Sequence, residues 1–292
     1  IWLLLSSIIF NYSMGYMIGN AQTRTRAKIL LILAIVFNLA LLGFYKYANF
    51  FIGNINSVSG ESFTFVSIVL PLGISFFTFT QIAYLVDVYR GIVREYNFNH
   101  YLLFVTYFPH LIAGPLLHHA QMMPQFARSE TFRIQLVNVA VGLSIFTIGL
   151  AKKVLLADSF AEYTGPVFDA AERGIQPDFI EAWTGTLAFS LQLYFDFSAY
   201  CDMAIGVSLL FGIKLPINFN SPYKASSVIE CWRRWHITLS QFLRDYLYIP
   251  LGGNRKGVAW RQVNLMITMV LGGLWHGANW TFIFWGALNA IY

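Results

Sequence analysis

Long apolar runs separated by short polar connectors constrain this chain more than any other feature. A helix of about 20 apolar residues crosses a bilayer, and within lipid every backbone polar group must be paired inside the protein. The composition agrees, because 57% of the 292 residues are hydrophobic and only 11% are charged, whereas a soluble domain is about a quarter charged. The sequence therefore predicts an all-α, multi-pass membrane protein and excludes a soluble enzyme.

The net charge of +5 comes from basic residues that are scattered through the connectors. A nucleic-acid-binding protein would gather them on one face, so no nucleic acid partner is expected. Basic connectors of membrane proteins instead tend to remain in the cytoplasm. The residues that mark predicted cytoplasmic connectors are Arg24, Arg26, Lys28, Arg90, Arg94, Arg128 and Arg133.

The apolar runs predict the order of the membrane segments. Crossings are expected at residues 1–19, 29–51, 63–88, 135–156 and 179–213. The third is interrupted at Pro71 and Gly73, and the last is bent around the polar patch at 196–202. Residues 101–123 have basic residues on both sides and contain Pro109, Gly114 and Pro115, so this run is expected to be re-entrant. An acidic outer loop is expected between residues 157 and 178. The final segment, from residue 263 onward, returns into the membrane.

Residues 229–246 alternate apolar and charged positions with helical spacing, which predicts one amphipathic helix in the membrane interface, in contact with lipid. The chain begins and ends inside apolar runs and has no initiator methionine. We therefore expect residues 1–292 to form a single membrane-embedded core that is truncated at both ends.

His276 is the strongest catalytic candidate, because it stands in an otherwise apolar segment. An imidazole titrates near neutral pH, so it can take a proton from a hydroxyl and return it to a leaving thiolate. In a helix, Gly272 and Gly273 would leave room for a substrate beside His276, and Asn279 would orient the ring. The alternative is a hydrogen-bonded core histidine beside two helix-packing glycines, and spacing alone leaves both open.

His236 follows Arg233 and Arg234 and lies on the apolar face of the predicted interfacial helix, pointing toward the bundle. The two arginines would contact lipid phosphates or bind the phosphates of a nucleotide-type acyl donor. Asp196 and Asp202 would act as a proton relay or form structural pairs, and pairing is the simpler interpretation.

No metal site is expected from the sequence. His118 and His119 are adjacent and lack the i, i+4 spacing with a carboxylate that a zinc hydrolase shows. Cys201 and Cys231 have no metal or redox spacing. No phosphate-binding glycine loop or serine-nucleophile elbow is present in the sequence.

Seven motifs occur in an order that resembles the membrane-bound O-acyltransferase family, in particular its bacterial polysaccharide O-acetyltransferase branch. They are LPLGISFFTF at 70–79, IAGP at 112–115, FDFS at 195–198, NFNSPY at 218–223, WRRWHITLS at 232–240, RDYLYIPLGGNR at 244–255 and GLWHGA at 273–278. The 248–255 loop favours this branch over the teichoic-acid D-alanyl transferases. The sequence departs from the family pattern at Ala199, Asn289 and the His118-His119 pair.

The resemblance implies a ring of tilted and re-entrant helices around a central tunnel in the bacterial inner membrane. It implies that His276 activates the acceptor and that His236 is the second histidine of the signature. Acetyl-CoA is the implied donor substrate, with no bound cofactor. The acceptor is an extracytoplasmic polysaccharide such as alginate or a peptidoglycan-type glycan, reached directly or through a periplasmic acetyltransferase partner. Supporting or donor-binding residues are expected to be Asn279, Arg233, Arg234, Asp196, Trp275 and Gly273.

Two other functions fit the same residues. A transporter would use Asp196, Asp202 and His276 as a proton or substrate path. A non-catalytic scaffold would recruit an envelope-modifying enzyme and would tolerate loss of His276.

Overall fold

The computed structural model describes residues 1–292 except Glu61, Ser67, Arg94, Glu95, Ile112, Ala113 and Tyr292, and the side chain of Phe132 is also left undescribed. The described residues are helical and contain no β-strand. Helices α1–α6 are Trp2–Gly19, Arg24–Ser59, Ile74–Arg90, Phe98–Thr106, Phe108–Leu111 and His119–Phe126. Helices α7–α12 are Leu136–Glu172, Phe179–Leu210, Val228–Arg234, Ile237–Leu243, Val258–His276 and Trp280–Ile291. The predicted all-α class is confirmed.

Among the described helices, α2, α7 and α8 are long and apolar enough to cross a membrane. Their starts follow ordinary capping chemistry. The Thr23 hydroxyl accepts from the Arg26 N–H at the start of α2, and Asp178 and Glu181 form a reciprocal capping box at the start of α8. Each cap pairs backbone groups that the first turn of a helix leaves free.

Helices α1, α2 and α3 pack together at the N-terminal side of the molecule. Two buried amides join the first pair, because Asn11 and Asn38 donate to each other's side-chain oxygens at 3.1 and 2.7 Å. Ser7 and Gln81 join α1 to α3 through a second buried contact of 3.1 Å. Polar groups of this kind hold apolar helices in one register where the hydrophobic effect gives little preference.

Helices α7 and α8 approach closely at small residues. A methyl group on Gly142 would lie 2.7 Å from the carbonyl oxygen of Gly206, and one on Gly149 would lie 2.9 Å from that of Ala199. The backbones touch here because these glycines lack side chains, as in other small-residue membrane contacts.

The described residues contain three π-helical turns. Gly43–Tyr47 lies within α2, Lys152–Ala157 lies within α7, and Arg244–Tyr248 directly follows α10. Such turns insert a residue and re-aim the side chains around it. The turn in α7 continues directly into helix as far as Glu172. The predicted acidic outer loop is therefore wrong over most of its length, since only residues 173–178 lie between α7 and α8.

The run at 101–123 is broken, as expected for a re-entrant segment, into α4, α5 and the start of α6. Part of its IAGP motif, Ile112 and Ala113, lies outside the described residues. Arg24 and Arg90 mark two connectors that the sequence predicts on the same side of the membrane, and both lie at the same end of the bundle. Arg24 donates to the Tyr89 carbonyl at 2.7 Å, and Arg90 donates to the Asp245 carbonyl at 3.0 Å.

Candidate active site

The predicted single helix over residues 229–246 is wrong, because the chain breaks at His236. This residue has a left-handed backbone with φ of 41°, a conformation that costs free energy for any residue other than glycine. The 218–220 loop holds the break in place: Asn220 N–H donates to the Arg234 carbonyl at 2.9 Å, and Ile237 N–H donates to the Asn218 carbonyl at 2.9 Å. The break turns the His236 side chain into the protein, where only 1% of the residue is exposed.

Asn218 fixes which nitrogen of His236 carries the proton. Its Oδ1 lies 3.2 Å from the Thr238 N–H, 2.9 Å from the Thr238 hydroxyl and 3.2 Å from His236 Nδ1. Because an amide oxygen only accepts, Nδ1 carries the hydrogen and Nε2 keeps its lone pair. Nε2 is buried and has no hydrogen-bond partner among the described residues. A buried basic nitrogen is thereby left available for chemistry.

His276 is the last residue of α11 and, unlike His236, is exposed. Its ring lies 5.4 Å from Trp285 and 6.3 Å from Phe282, both on α12. Trp275 is buried and contacts both histidines, with ring centroids 6.2 Å from His236 and 5.0 Å from His276. The fold thus places the two histidines that the sequence singled out in contact with one buried side chain, Trp275.

The structure corrects two predictions about the neighbours of His276. A methyl group on Gly273 would collide with the Phe282 carbonyl, and one on Gly272 would lie 3.1 Å from Leu243. Both glycines therefore admit neighbouring protein instead of substrate. Asn279 does not orient His276 through a described hydrogen bond, because its Oδ1 accepts from the Thr281 N–H and hydroxyl at the start of α12.

Lys46 lies at the site but was not predicted from the sequence. It lies in the π-helical turn of α2 and donates to the Trp275 carbonyl and, at 3.1 Å, to the Ser75 hydroxyl. The adjacent Tyr47 hydroxyl donates to the Leu274 carbonyl at 2.6 Å. Together they pair carbonyls at the end of α11, next to His276. A lone lysine inside an apolar span was the available signal, since such a residue is costly in lipid.

Replacing Lys46 with methionine is expected to slow turnover about tenfold, because the Trp275 carbonyl loses a charged donor of about 1.5–3 kcal/mol. The measurement is kcat and KM for the full-length protein beside its melting temperature, with Ser75→Ala as the milder variant. A positioning role predicts a lower kcat at nearly unchanged KM. A fall in folded protein with unchanged kcat would contradict it.

The two predicted arginines differ in their surroundings. Arg234 pairs with Glu230 at 2.5 Å, and hydrogen bonds from Ser226 and Arg234 hold the pKa of that carboxyl well below its usual range. Arg233 lines a cavity of about 740 Å³ together with Arg244 and Arg261. Trp232, also on its wall, contacts Trp285 at 5.9 Å, which in turn contacts His276. Trp232 and Trp285 therefore connect the arginine-lined cavity to His276.

Asp196 and Asp202, both on α8, form ion pairs with α7. Asp196 lies 2.6 Å from Lys153, and Asp202 lies 2.5 Å from Lys152, both in the π-helical turn of α7. The pairing interpretation accounts for these aspartates, although their partners are lysines and the pairs are partly exposed. These carboxylates thus pair both lysines of this π-helical turn.

Replacing Asn218 with alanine is expected to lower transfer about tenfold, because His236 loses the acceptor that fixes its tautomer. Asn218→Asp retains an acceptor and should recover part of the rate. The check is the pH profile of kcat, which a purely structural role would leave unshifted. An Asn218→Ala enzyme with the wild-type profile and rate would contradict the assignment.

The chain is similar in sequence to several known proteins. The chain is 48% identical to a peptidoglycan O-acetyltransferase of Helicobacter pylori over 99% of the chain and 59% of that protein. It is 47% identical to a probable alginate O-acetylase AlgI of Azotobacter vinelandii over 97% of the chain and 57% of that protein. A teichoic acid D-alanyltransferase of Streptococcus thermophilus is 29% identical over 75% of the chain and 55% of that protein. The chain thus spans somewhat more than half the length of these relatives.

The model of the membrane-bound O-acyltransferase family matches residues 88–292, which include both histidines and the arginine-lined cavity. Two relatives well above 30% identity cover nearly the whole chain. On this evidence the chain belongs to the membrane-bound O-acyltransferase family.

Proposed function

We propose that the full-length protein transfers an acetyl group from a cytosolic donor, acetyl-CoA, to hydroxyl groups of an extracytoplasmic polysaccharide. The observation that carries this proposal is that two histidines contact the same Trp275: His236 is buried and its Nε2 has no hydrogen-bond partner among the described residues, and His276 is exposed. The residues at 1–292 would form the membrane-embedded catalytic core of a multi-pass protein of the bacterial inner membrane.

In the proposed reaction, His276 removes the proton from the acceptor hydroxyl as its oxygen attacks the thioester carbonyl. The new C–O bond forms, the C–S bond breaks, and the thiolate leaves with the proton that the imidazole returns. General acid-base catalysis of this kind is typically worth about 10²–10⁴-fold in rate. His236 would support the same site with its Nε2 lone pair.

The donor is proposed to bind at the arginine-lined cavity. Arg233 and Arg261 line its wall, and its other lining residues are mostly apolar. Arg244 also lines it but already pairs with Asp245 through hydrogen bonds of 2.7 and 3.0 Å, so it is a weaker ligand for the donor. Guanidinium groups suit the phosphates of a nucleotide-type donor, while apolar surface suits its carbon chain. Arg234 is a weaker candidate for donor binding than the sequence indicated, because its guanidinium already forms an ion pair with Glu230.

The acceptor class is inferred from relatives named for peptidoglycan and alginate. Both are glycans that lie outside the cytoplasmic membrane, so the acetyl group has to cross it. Transfer to the glycan would occur directly or through a periplasmic acetyltransferase partner, and membrane lipid would surround the apolar helices.

The test uses sealed membrane vesicles that contain the full-length protein, with labelled acetyl-CoA on the cytosolic side and polysaccharide on the other. Label covalently attached to the polysaccharide supports the proposal. Free labelled solute inside the vesicles without acylation would favour the transporter, although the ion pairs of Asp196 and Asp202 already argue against a relay there. A His276→Ala protein that still supports full acetylation would favour the scaffold.

A further inference from the structure

Asp87, His118 and His119 come together from separate segments at the end of α3. Asp87 lies one turn before the end of that helix and is 1% exposed, and the two histidines lie at the start of α6. Their ligand atoms all lie within 4.8 Å of one another. The sequence did not predict a metal site, because the zinc-hydrolase pattern has its carboxylate on the same helix as the histidines. Here the carboxylate, Asp87, comes from another helix.

His119 is the unusual member of the cluster. It is 3% exposed, and both of its ring nitrogens lack a hydrogen-bond partner among the described residues. Its ring is held edge-on by Tyr84 and Phe104, with centroids at 5.9 and 6.4 Å. An imidazole always has at least one N–H or lone pair to satisfy, and leaving a buried polar group unpaired costs about 1–3 kcal/mol. A bound ligand would remove this cost.

The spacing of the ligand atoms fits a metal ion. Ligand atoms about 2 Å from a tetrahedral zinc ion lie about 3.3 Å from one another. The observed distances from Asp87 Oδ2 are 2.9 Å to His118 Nε2 and 3.7 Å to His119 Nδ1, which bracket that value. Two imidazoles and one carboxylate form a donor set that zinc and other divalent first-row metals accept.

The surroundings supply the other parts of a metal site. The Tyr246 hydroxyl donates to Asp87 Oδ2 at 2.5 Å and contacts His118 Nε2, so it lies against two of the proposed ligand atoms and would become a further ligand or move aside for the ion. Arg90 lies 3.5 Å from Oδ1, the other carboxylate oxygen, and leaves Oδ2 to the histidines. A cavity of about 240 Å³ lined by His118, Tyr246 and Asp245 gives room for ion entry and a water ligand.

His118 must change its tautomer when the ion binds. Its Nδ1 accepts a long, 3.3 Å hydrogen bond from the Ala120 N–H, which places the proton on Nε2 in the empty cluster. Binding at Nε2 moves that proton to Nδ1. His118 then gives up the Ala120 hydrogen bond and the Nε2 contacts with Asp87 and Tyr246, which coordination to the ion would replace.

We propose that Asp87, His118 and His119 bind one divalent transition-metal ion of the zinc type. The ion clamps α3 to the segment that leads into α6. That segment also contacts the histidine site, since Leu116 N–H donates at 2.8 Å to the Thr238 hydroxyl that Asn218 binds. The metal would therefore stabilise the wall behind His236 without taking part in the transfer.

The test is metal content, measured by mass spectrometry on full-length protein purified with a histidine-free tag, and zinc titration of chelator-stripped protein by calorimetry. Wild type is expected to bind about one ion and to melt at a higher temperature with zinc. Asp87→Asn and His119→Gln should each lose most of the bound metal. His110→Gln is the matched control, because His110 is equally buried but lies outside the cluster.

His118→Gln provides a second loss variant at a more exposed position, in case the buried changes prevent folding. The proposal is overturned if wild-type protein takes up no zinc at micromolar concentration, or if the three cluster variants keep as much metal as His110→Gln. Neither outcome depends on acetyl transfer, so failure here is separate from failure of the proposed function.

Discussion

Replacing His276 with alanine is expected to lower acetyl transfer by about 10²–10⁴-fold, the usual contribution of a general acid-base group. The residue is exposed at the end of α11, so its loss opens no buried cavity and should leave the amount of folded protein unchanged. The measurement is the initial rate of label transfer from acetyl-CoA to polysaccharide, normalised to folded protein by size-exclusion chromatography.

The matched control is Thr186→Ala, an exposed change on α8 whose hydroxyl bonds only the Ala182 carbonyl of its own helix. It should transfer acetyl groups at the wild-type rate. Equal losses in both variants would mean that the assay reports expression or insertion, and the role assigned to His276 would lose its support.

Replacing Gly273 with alanine is expected to destabilise the protein by about 1–3 kcal/mol, the usual cost of overpacking a close contact. The added methyl group would collide with the Phe282 backbone carbonyl, which cannot rotate away. Helices α11 and α12 would have to separate, and the aromatic wall around His276 would move with α12. We expect a melting temperature lower by several degrees and a reduced rate of transfer.

Gly53→Ala is the matched control for this substitution, because Gly53 is also helical and a methyl group there would make only an ordinary contact, 3.7 Å from the Phe65 ring. Alanine favours helix over glycine by up to about 1 kcal/mol, so this control should be neutral or slightly stabilising. If both variants melted alike, the close contact between α11 and α12 would not limit stability.

Local patterns in the sequence predicted the helices well where a single apolar run decides the structure. The crossings near residues 29–51 and 179–213 are parts of α2 and α8, and Pro109, Gly114 and Pro115 correctly marked a broken segment. These features depend on neighbouring residues, which the sequence shows directly. Family resemblance singled out His236 and His276 as candidates and also indicated the family. The comparisons confirm the family.

The break at His236 was not predictable from periodicity, because residues 229–246 have helical spacing on both sides of it. Backbone hydrogen bonds from the 218–220 loop hold the chain in its broken conformation at His236, and they join residues that are far apart in the sequence. The approach of Lys46 to Trp275 and of Asp87 to His118 is likewise long-range. Asn279 was different, since an asparagine just before a new apolar helix is an ordinary capping signal that could have been read locally.

The most direct test of the account is a double-mutant cycle on the two histidines. Label transfer would be measured in membranes that hold wild type, His276→Ala, His236→Ala or the double variant of the full-length protein at matched folded abundance. If both residues serve one site, the double variant should be hardly slower than His276→Ala, since members of a catalytic unit are not additive. Wild-type transfer by His276→Ala would contradict the catalytic assignment outright, and fully additive losses would contradict the claim that the two histidines act together.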